Sequence, residues 1–291
     1  MGESHADLCE THILGDDTHE IAVRAEACEA LARARIAHVG IRDAAAPHRV
    51  VRTWLGGAYL HGCLEGEGRT LLDGAWRAHG AGVASLAPAH VLHAFECVPG
   101  RRWRCCWVRY APSSARSREG VAAPVFARFD AAPLSHAILG LHREAGAPGG
   151  TPAACALWID LIEHYVDRLA APAGGEGRLG AVWAAVRREP GRAWRLDDLA
   201  AVAGVSGEQL RRLCNRGLGR SPMRQLAHIR MQAAAHMLAQ GGCSVERAAL
   251  EVGYDNPFAF SQAFRRVTGF RPSRFRDARP GEPRPAAHGE A

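Results

Sequence analysis

The chain has 291 residues, of which 47% are hydrophobic and 23% are charged, and its formal net charge is +6. This composition can form a buried core and excludes wholesale disorder, and the length favours two domains. No run of 18 apolar residues occurs, which excludes a membrane-spanning helix, and the polar, acidic first residues lack the order of a secretory signal. We therefore expect a cytoplasmic protein with no membrane partner.

The first two thirds of the chain predict a helix and then a sheet. A capping-box-like pair, Asp17-x-x-Glu20, starts a predicted helix that extends to Ala37. From residue 53 to residue 110, short apolar runs alternate with glycine-containing turns at Glu65–Gly68 and Gly80–Gly82, a pattern typical of a barrel or jelly roll. The predicted strands are 54–55, 58–60, 70–72, 82–86, 93–95 and 103–110.

Two further helices are predicted after the strands, over Pro133–Ala145 and Thr151–Ala171. Apolar residues at helical spacing form one stripe on the second helix, and they are Trp158, Leu161, Ile162, Tyr165 and Leu169. Such a stripe is most often packed against the protein's own core. We therefore expect the second helix to pack on the barrel.

Charge and composition divide the chain into two parts. Up to Gly180 there are 18 arginines against 20 acidic residues, a net charge of −2, and from Ala181 onward there are 18 against 10, a net charge of +8. A basic last third is the charge distribution expected of a nucleic-acid-binding domain. The small-residue stretch Pro172–Gly177 favours a linker, so the predicted parts are a domain over 1–171, a linker over 172–178, a second domain over 179–278 and a disordered tail over 279–291.

The second domain contains a helix-turn-helix pattern. Ala200 is small enough to let two helices approach, and Gly204, four residues later, can adopt the backbone conformation of the turn. Leu210 follows in the core of the second helix, and Ser206 is placed to cap that helix.

The pattern occurs a second time, where Ala249 precedes Gly253 by four residues. A long helix from Pro222 to about Gln240 is predicted to join the two motifs. A duplicated helix-turn-helix of this kind would hold two recognition helices rigidly apart, for insertion into successive major-groove turns about 34 Å apart.

These residues resemble a known family. The segment SVERAALEVGYDNPFAFSQAFRRVTGFRPSRFR is similar to the second half of the DNA-binding domain of AraC/XylS-type transcription regulators, through Gly253-Tyr254, Phe260-Ser261, Phe264-Arg265, Gly269, Pro272 and Phe275-Arg276. The resemblance extends over about 179–276 and departs at Cys214, where the family usually has phenylalanine. The order of turns before it, followed by Leu86-Ala-Pro88, His93 and Trp107–Tyr110, resembles the cupin-like effector domain of such regulators.

The resemblance implies an α+β multidomain fold, with an N-terminal cupin-like β-barrel and flanking helices. The C-terminal domain is then all-α, with two helix-turn-helix motifs joined by a linker helix. The implied function is sequence-specific transcription regulation in response to a small-molecule effector. The implied partners are promoter DNA, RNA polymerase, the effector and a second copy of the chain, because helices at this point of the family pair two subunits.

The resemblance also assigns DNA contacts. The recognition helices would extend over Ser206–Arg216 and Asn256–Val267, and the base-contact candidates are Glu208, Gln209, Arg212, Asn256, Ala259 and Gln262. Arginine can bond guanine in a bidentate manner, glutamine can bond adenine, and alanine can only meet a thymine methyl group. Phosphate contacts, which position the protein without reading sequence, are expected from Arg211, Arg216, Arg265, Arg266 and Arg274.

The barrel has weaker candidates for effector binding, which are Arg52, His61, Trp76 and His93. Cupin enzymes hold a metal with a His-x-His pair, a glutamate and a later histidine. His93 matches the later position, but only a lone His61 lies near the first, and the nine cysteines have no zinc-like spacing. We therefore expect no metal, no cofactor and no catalytic residue, and an organic effector in an apolar cavity.

Two other functions remain open at this point. The first is a metal-dependent cupin enzyme with an appended DNA-binding domain, which would need three or four metal ligands. The second is a non-specific architectural protein, whose binding would depend steeply on salt for all DNA sequences alike.

Overall fold

A computed structural model describes residues 11–52, 57–72, 75–112, 114, 124–174, 178–240 and 243–273. The first part of the chain is a curled antiparallel sheet. Its strands are β1 Thr11–Ile13, β2 His19–Arg24, β3 Ile36–Ala45, β4 Arg49–Arg52, β5 Tyr59–Leu72, β6 Ala75–Gly80, β7 Val83–Ala87, β8 His93–Cys97, β9 Arg102–Tyr110 and β10 Val125–Arg128. They follow the order β1-β4-β8-β5-β9-β3-β2, while β6 and β7 also pair with β5 and β10 pairs with β7.

Strand β5 curls the sheet, because it pairs with β7 and β9 in its first half and with β6 and β8 in its second. The turn predicted at Glu65–Gly68 is therefore wrong. The register against β9 shifts after Cys63, and Gly66 has a φ of +77°. A Cβ atom at Gly66 would lie 1.9 Å from the carbonyl oxygen of Arg102, so this glycine allows a bulge and a close strand approach. The turn predicted at Gly80–Gly82 is confirmed and joins β6 to β7.

The helix predicted from Asp17 to Ala37 is wrong. Strand β2 lies in the first half of this segment and pairs in antiparallel register with β3, which begins at Ile36, and only a short helix, α1 Glu29–Arg33, lies between them. Glu20 does not cap a helix, because its Oε2 accepts a hydrogen bond of 2.8 Å from Nε of Arg42 on β3. The capping signal was local, whereas cross-strand pairing decided the structure. The strands predicted at 58–60 and 70–72 are the two ends of β5, and the one at 54–55 lies outside the described residues.

Two helices cover the sheet, α2 Ala132–Gly146 and α3 Pro152–Gly174. As predicted, α3 packs on the sheet, and its buried side chains are Cys155, Ile159, Ile162, Val166 and Leu169. Of the predicted stripe, Trp158 and Tyr165 are partly buried, whereas Leu161 is 43% exposed. Helix α3 includes Pro172, where the sequence places the start of the linker, and the division into domains stays a prediction.

The second part of the chain is helical. Its helices are α4 Arg178–Arg188, α5 Leu196–Ala203, α6 Gly207–Leu218, α7 Pro222–Ala239, α8 Val245–Glu251 and α9 Pro257–Thr268. The predicted joining helix is confirmed as α7, which contributes Ile229 to a core with α4–α6 and Met231 to a core with α8 and α9. No helix among the described residues is both long enough and apolar enough to cross a membrane. The tail predicted over 279–291 lies outside the described residues.

Candidate DNA interface and effector cavity

The first helix-turn-helix is formed by α5 and α6. Gly204 ends α5 with a φ of +62°, and Ser206 caps α6, as the sequence predicts. Oγ of Ser206 accepts from the backbone N–H of Gln209 at 3.2 Å, and Oε1 of Gln209 accepts from the backbone N–H of Ser206 at 3.0 Å. Because this reciprocal cap uses Oε1 of Gln209, only the Nε2 amino group of this side chain remains to donate to a base. Cys214 is fully buried, so the smaller side chain still completes the core.

The exposed face of α6 carries three charged candidates close together. Oε2 of Glu208 lies 3.5 Å from Nη1 of Arg211, and its Oε1 lies 3.8 Å from Nε of Arg212. All three side chains are more than half exposed, and ion pairs of this kind contribute little to stability. DNA phosphates or bases can therefore replace Glu208 as the partner of either arginine. Arg216 is also exposed, in the last turn of α6.

The second helix-turn-helix is formed by α8 and α9. Asn256 caps α9, because its Oδ1 accepts from the backbone N–H groups of Phe258 at 2.8 Å and Ala259 at 3.2 Å. As with Gln209, the cap uses the side-chain oxygen and leaves the Nδ2 amino group of Asn256 to donate to a base. The other described candidates on α9 are exposed, and they are Ala259, Gln262, Arg265 and Arg266. Arg274 lies outside the described residues.

Sequence reasoning missed Phe258, which is 72% exposed in the first turn of α9. The signal was present in the spacing. Phe260 and Phe264 are four residues apart and both fully buried, so they define the core face of α9. A residue two positions before Phe260 lies on the opposite face of a helix. Phe258 is thus an exposed aromatic group beside Ala259, at the end of the helix expected to enter DNA.

The two motifs are linked by direct contacts as well as by α7. Arg230 on α7 donates from Nε to the carbonyl oxygen of Pro190 at 2.9 Å and from Nη2 to that of Arg192 at 2.8 Å. Gly253, in the turn after α8, packs so closely on the same loop that a Cβ atom there would lie 2.6 Å from the carbonyl oxygen of Gly191. The loop before α5 therefore fixes the second motif relative to the first.

A small cavity lies inside the curled sheet and includes two of the predicted effector residues. His61 on β5 and His93 on β8 both line it, with the ring of Tyr59 at 5.8 Å from the first and 5.6 Å from the second between ring centroids. Burial is the main cause that lowers the pKa of His93 to about 3 and that of His61 well below its usual value. Both rings are therefore neutral at physiological pH.

The other two effector candidates lie outside this cavity. Arg52 on β4 is the cross-strand partner of His93, and its charge adds to the lowering of the His93 pKa. Trp76 instead lies near two arginines on another part of the sheet, with the guanidinium carbons of Arg49 and Arg69 at 5.9 and 5.8 Å from its ring centroid. Within the described ranges, no three His, Cys, Asp or Glu side chains are grouped to hold a metal ion.

The sheet domain also contacts the second helix-turn-helix. The backbone N–H of Leu92, just before β8, donates to the carbonyl oxygen of Thr268 at the end of α9 over 2.9 Å. The rings of His90 and His236 on α7 are 6.1 Å apart. A single hydrophobic cluster includes residues of both domains, with Val51, Leu71, Leu92 and Ala94 from the sheet and Met231, Leu238, Phe260, Phe264 and Phe270 among those from the helices.

Comparison with known proteins finds matches to both parts of the chain. The family model of an AraC-like ligand-binding domain matches residues 35–162, and that of a helix-turn-helix domain matches residues 199–278. An uncharacterized HTH-type transcriptional regulator of Haemophilus influenzae is 34% identical over 125 residues, which are 41% of this chain and 42% of that one. The MmsAB operon regulatory protein of Pseudomonas aeruginosa is 26% identical over 231 residues, 76% of this chain and 75% of that one.

Among solved structures, ToxT from Vibrio cholerae aligns with a TM-score of 0.44 and 9% identity, over 81% of this chain and 96% of that one. The chain covers less than half the length of the first curated relatives it matches, at 42%, 30% and 35%.

Proposed function

Because this chain belongs to the AraC family of transcription regulators, we propose that it binds promoter DNA sequence-specifically and that a small molecule in the sheet domain controls this binding. One observation carries the proposal: two N-capped helices present exposed polar side chains and are held to each other through the loop at Gly191. Rigid spacing of two recognition helices allows simultaneous reading of two major-groove segments. Such a role belongs in the cytoplasm, with the DNA.

The proposal is tested by selecting binding sites for the full-length protein from a random DNA library and then footprinting its own and neighbouring promoters. We expect a conserved site with two half-sites about one helical turn apart. Competitor DNA of unrelated sequence should not displace the protein at matched concentration. Selection of no common sequence would contradict the proposal and favour an architectural protein.

The enzyme alternative has less support. The relatives found by comparison are named as transcription regulators, and the described residues offer no group of metal ligands. RNA polymerase as a partner follows only from promoter binding, and in vitro transcription with purified polymerase on a footprinted promoter tests it.

Replacing Arg212 by alanine should weaken binding to the selected site by about 1–3 kcal/mol and relax specificity at one base pair, because a bidentate contact to guanine is lost. The measurement is the dissociation constant for a set of sites with each base pair substituted in turn. Arg216→Ala is the matched control on the same helix. Because we assign Arg216 to a phosphate contact, this variant should weaken binding to all sites equally. It should also reduce the slope of log affinity against log salt concentration by about one. Equal behaviour of the two variants would contradict the assignment of Arg212.

We propose that the signal passes through β8. His93 on this strand lines the cavity, and Leu92, directly before it, is bonded to the end of α9. Leu71 and Ala94 line the cavity and also belong to the hydrophobic cluster shared with the second helix-turn-helix. A molecule that widens the cavity would therefore press on the same side chains that hold the second motif, which couples the two sites.

We further propose that α3 pairs two copies of the chain. Leu157 is 68% exposed and Leu161 is 43% exposed, one turn apart on the face of α3 that is turned away from the sheet. An antiparallel copy of the same helix would bury Leu157 of each copy against Leu161 of the other.

The double change Leu157→Glu and Leu161→Glu should convert a dimer into a monomer, because four carboxylates would face one another across the helix pair. Light scattering after size-exclusion chromatography measures the mass, with 31.2 kDa expected for the monomer. Leu250→Glu is the control, since Leu250 is 57% exposed on α8 and lies outside the proposed face. A dimer that persists in the double variant would place the interface elsewhere.

A further inference from the structure

Two histidines inside the sheet lack hydrogen-bond partners for both of their ring nitrogens. His61 is 1% exposed and His93 is 5% exposed, and none of their four nitrogens has a partner among the described residues. Native proteins pair the great majority of buried polar groups, because an unpaired one costs its full desolvation. The N–H donor that each neutral ring carries therefore requires an acceptor that the described residues do not supply.

A third histidine in the same sheet shows that the fold can satisfy such a ring. His79 is fully buried, but its Nδ1 lies 2.8 Å from Oγ1 of Thr70 and its Nε2 lies 3.2 Å from the carbonyl oxygen of Val83. The ring centroids of His61 and His79 are only 5.2 Å apart. The unpaired state of His61 is thus a local property of the cavity and not of buried histidines in this domain.

The cavity is small and has no acidic lining. Besides His61 and His93, its polar lining residues are Tyr59, Thr70 and Ser85. The free space amounts to about 10 Å³, which is room for about one water molecule. A larger occupant must therefore displace apolar lining, which includes Leu71 and Ala94.

Arginine charges act on both histidines of the cavity. After burial, the charges that lower the pKa of His93 are those of Arg52 and Arg109. For His61, they include the charge of Arg42, whose guanidinium group binds Glu20. Burial is the main cause that raises the pKa of Tyr59 in the same cavity, and the carboxylate of Glu20, which is paired with Arg42, helps to raise it. Arg52 and Arg109 thus place positive charge beside His93, and positive charge beside a low-dielectric cavity favours a negatively charged occupant.

We propose that this cavity binds a small organic carboxylate, whose two oxygens accept hydrogen bonds from the ring N–H groups of His61 and His93. The proposal rests on the proposed function, in which the sheet domain holds the effector, and it specifies the chemical class of that effector. The apolar part of the acid lies toward Phe95, whose ring is 4.8 Å from that of His61, and toward Leu71 and Ala94. The length of the acid then determines how far the wall shared with the second helix-turn-helix is displaced.

The test is calorimetric titration of the full-length protein with formate, acetate, propionate, benzoate and decanoate, and with the amide of each acid. We expect saturable binding of at least one short acid, and its amide should bind at least about tenfold more weakly, because hydrogen bonds to a charged group are the stronger ones. Preference for decanoate would identify a lipid-derived acid instead of a short metabolic one. Equal binding of acid and amide, or no binding of any acid, would overturn the proposal.

Variants assign the binding to the two rings. His61→Phe and His93→Phe fill the same space without N–H groups, and each should weaken binding of the acid by at least about tenfold. His136→Gln, at an exposed position on α2, is the control and should leave binding unchanged. If a phenylalanine variant does not fold, the imidazole resonances of His61 and His93 in the wild-type protein should shift on addition of the acid. Unshifted resonances at saturating acid would overturn the proposal as well.

Failure of this inference and failure of the proposed function are distinguishable. If the protein selects a DNA site and its footprint responds to a neutral molecule, only the carboxylate assignment is wrong. If no DNA site is selected, the regulatory function is wrong whether or not the cavity binds an acid.

Discussion

Replacing Gly253 by alanine should destabilise the helical domain by about 3 kcal/mol or more, whereas Gly204→Ala should cost about 1–2 kcal/mol. Both glycines have a left-handed backbone, with φ of +77° and +62°, so both variants incur the cost of a side chain in that region. They differ in the space around them. A Cβ atom at Gly253 would lie 2.6 Å from a backbone oxygen, whereas one at Gly204 would meet nothing within 4 Å.

Urea unfolding of the full-length variants measures the difference, and DNA binding of the folded fraction measures its consequence. Because Gly253 contacts the loop at Gly191, relief of the clash must move the second motif relative to the first. We therefore expect Gly253→Ala to lose more affinity for a two-half-site DNA than Gly204→Ala does. Gly219→Ala, at a φ of +65° with open space around the Cβ position, is a second control. An equal loss of unfolding free energy in all three variants would show that the loop at Gly191 moves away without a cost in stability.

The helical domain was predictable because its signals are local. Left-handed glycines end helices, and Ser206 caps one through its own hydroxyl group, so residues a few positions apart in sequence decide the structure. The same locality predicts Leu210 in the core of α6, where it is fully buried. What local reasoning missed was a second role for predicted base contacts, since Gln209 and Asn256 are also caps.

The sheet domain was less predictable because its structure depends on distant pairing. The segment 65–68 has the glycine-rich composition of a turn. Position 66 needs a glycine, however, because the backbone of Arg102 on another strand approaches it closely. Glu20 has the spacing of a cap, but its partner is Arg42 on β3. His61 and His93 were both candidates, yet only the fold brings them to one cavity. The contact of Leu92 with Thr268 joins residues 176 positions apart, and no pattern in the sequence indicates it.

Lowering the pH from 7.5 to 5 should remove several kcal/mol of stability from the sheet domain and unfold it near the lower value. Six histidines with a lowered pKa cause this effect, of which four are buried and two, His38 and His90, are partly buried. Burial is the main reason that the pKa is lowered to about 3 for His48 and His93, to about 4 for His79, and well below 6.5 for His61. In the unfolded chain each returns to about 6.5 and binds a proton at pH 5, while the folded ring stays neutral.

The sign follows from proton binding. Since the unfolded state binds more protons, the stability due to these rings is fully present above pH 6.5 and is lost as the pH falls through the folded pKa values, to about 4 for His79 and about 3 for His48 and His93. Each ring accounts for about 2 kcal/mol at pH 5, and together they approach the whole stability of a typical domain, about 5–15 kcal/mol. Urea midpoints at pH 7.5, 6.5 and 5.5, followed by the fluorescence of the buried Trp103 and Trp107, measure the loss.

A single substitution separates this explanation from general acid denaturation. His61→Phe removes one of the protons that the unfolded chain takes up, so between pH 6 and 5 the slope of unfolding free energy should fall by about 1.2 kcal/mol per pH unit. The exposed His136→Gln provides the matched control for the loss of a histidine. If His61→Phe leaves the slope unchanged, then His61 takes up its proton in the folded state too, and the cavity must admit water or an anion beside the ring. The slope therefore reports whether the cavity stays closed when it is empty.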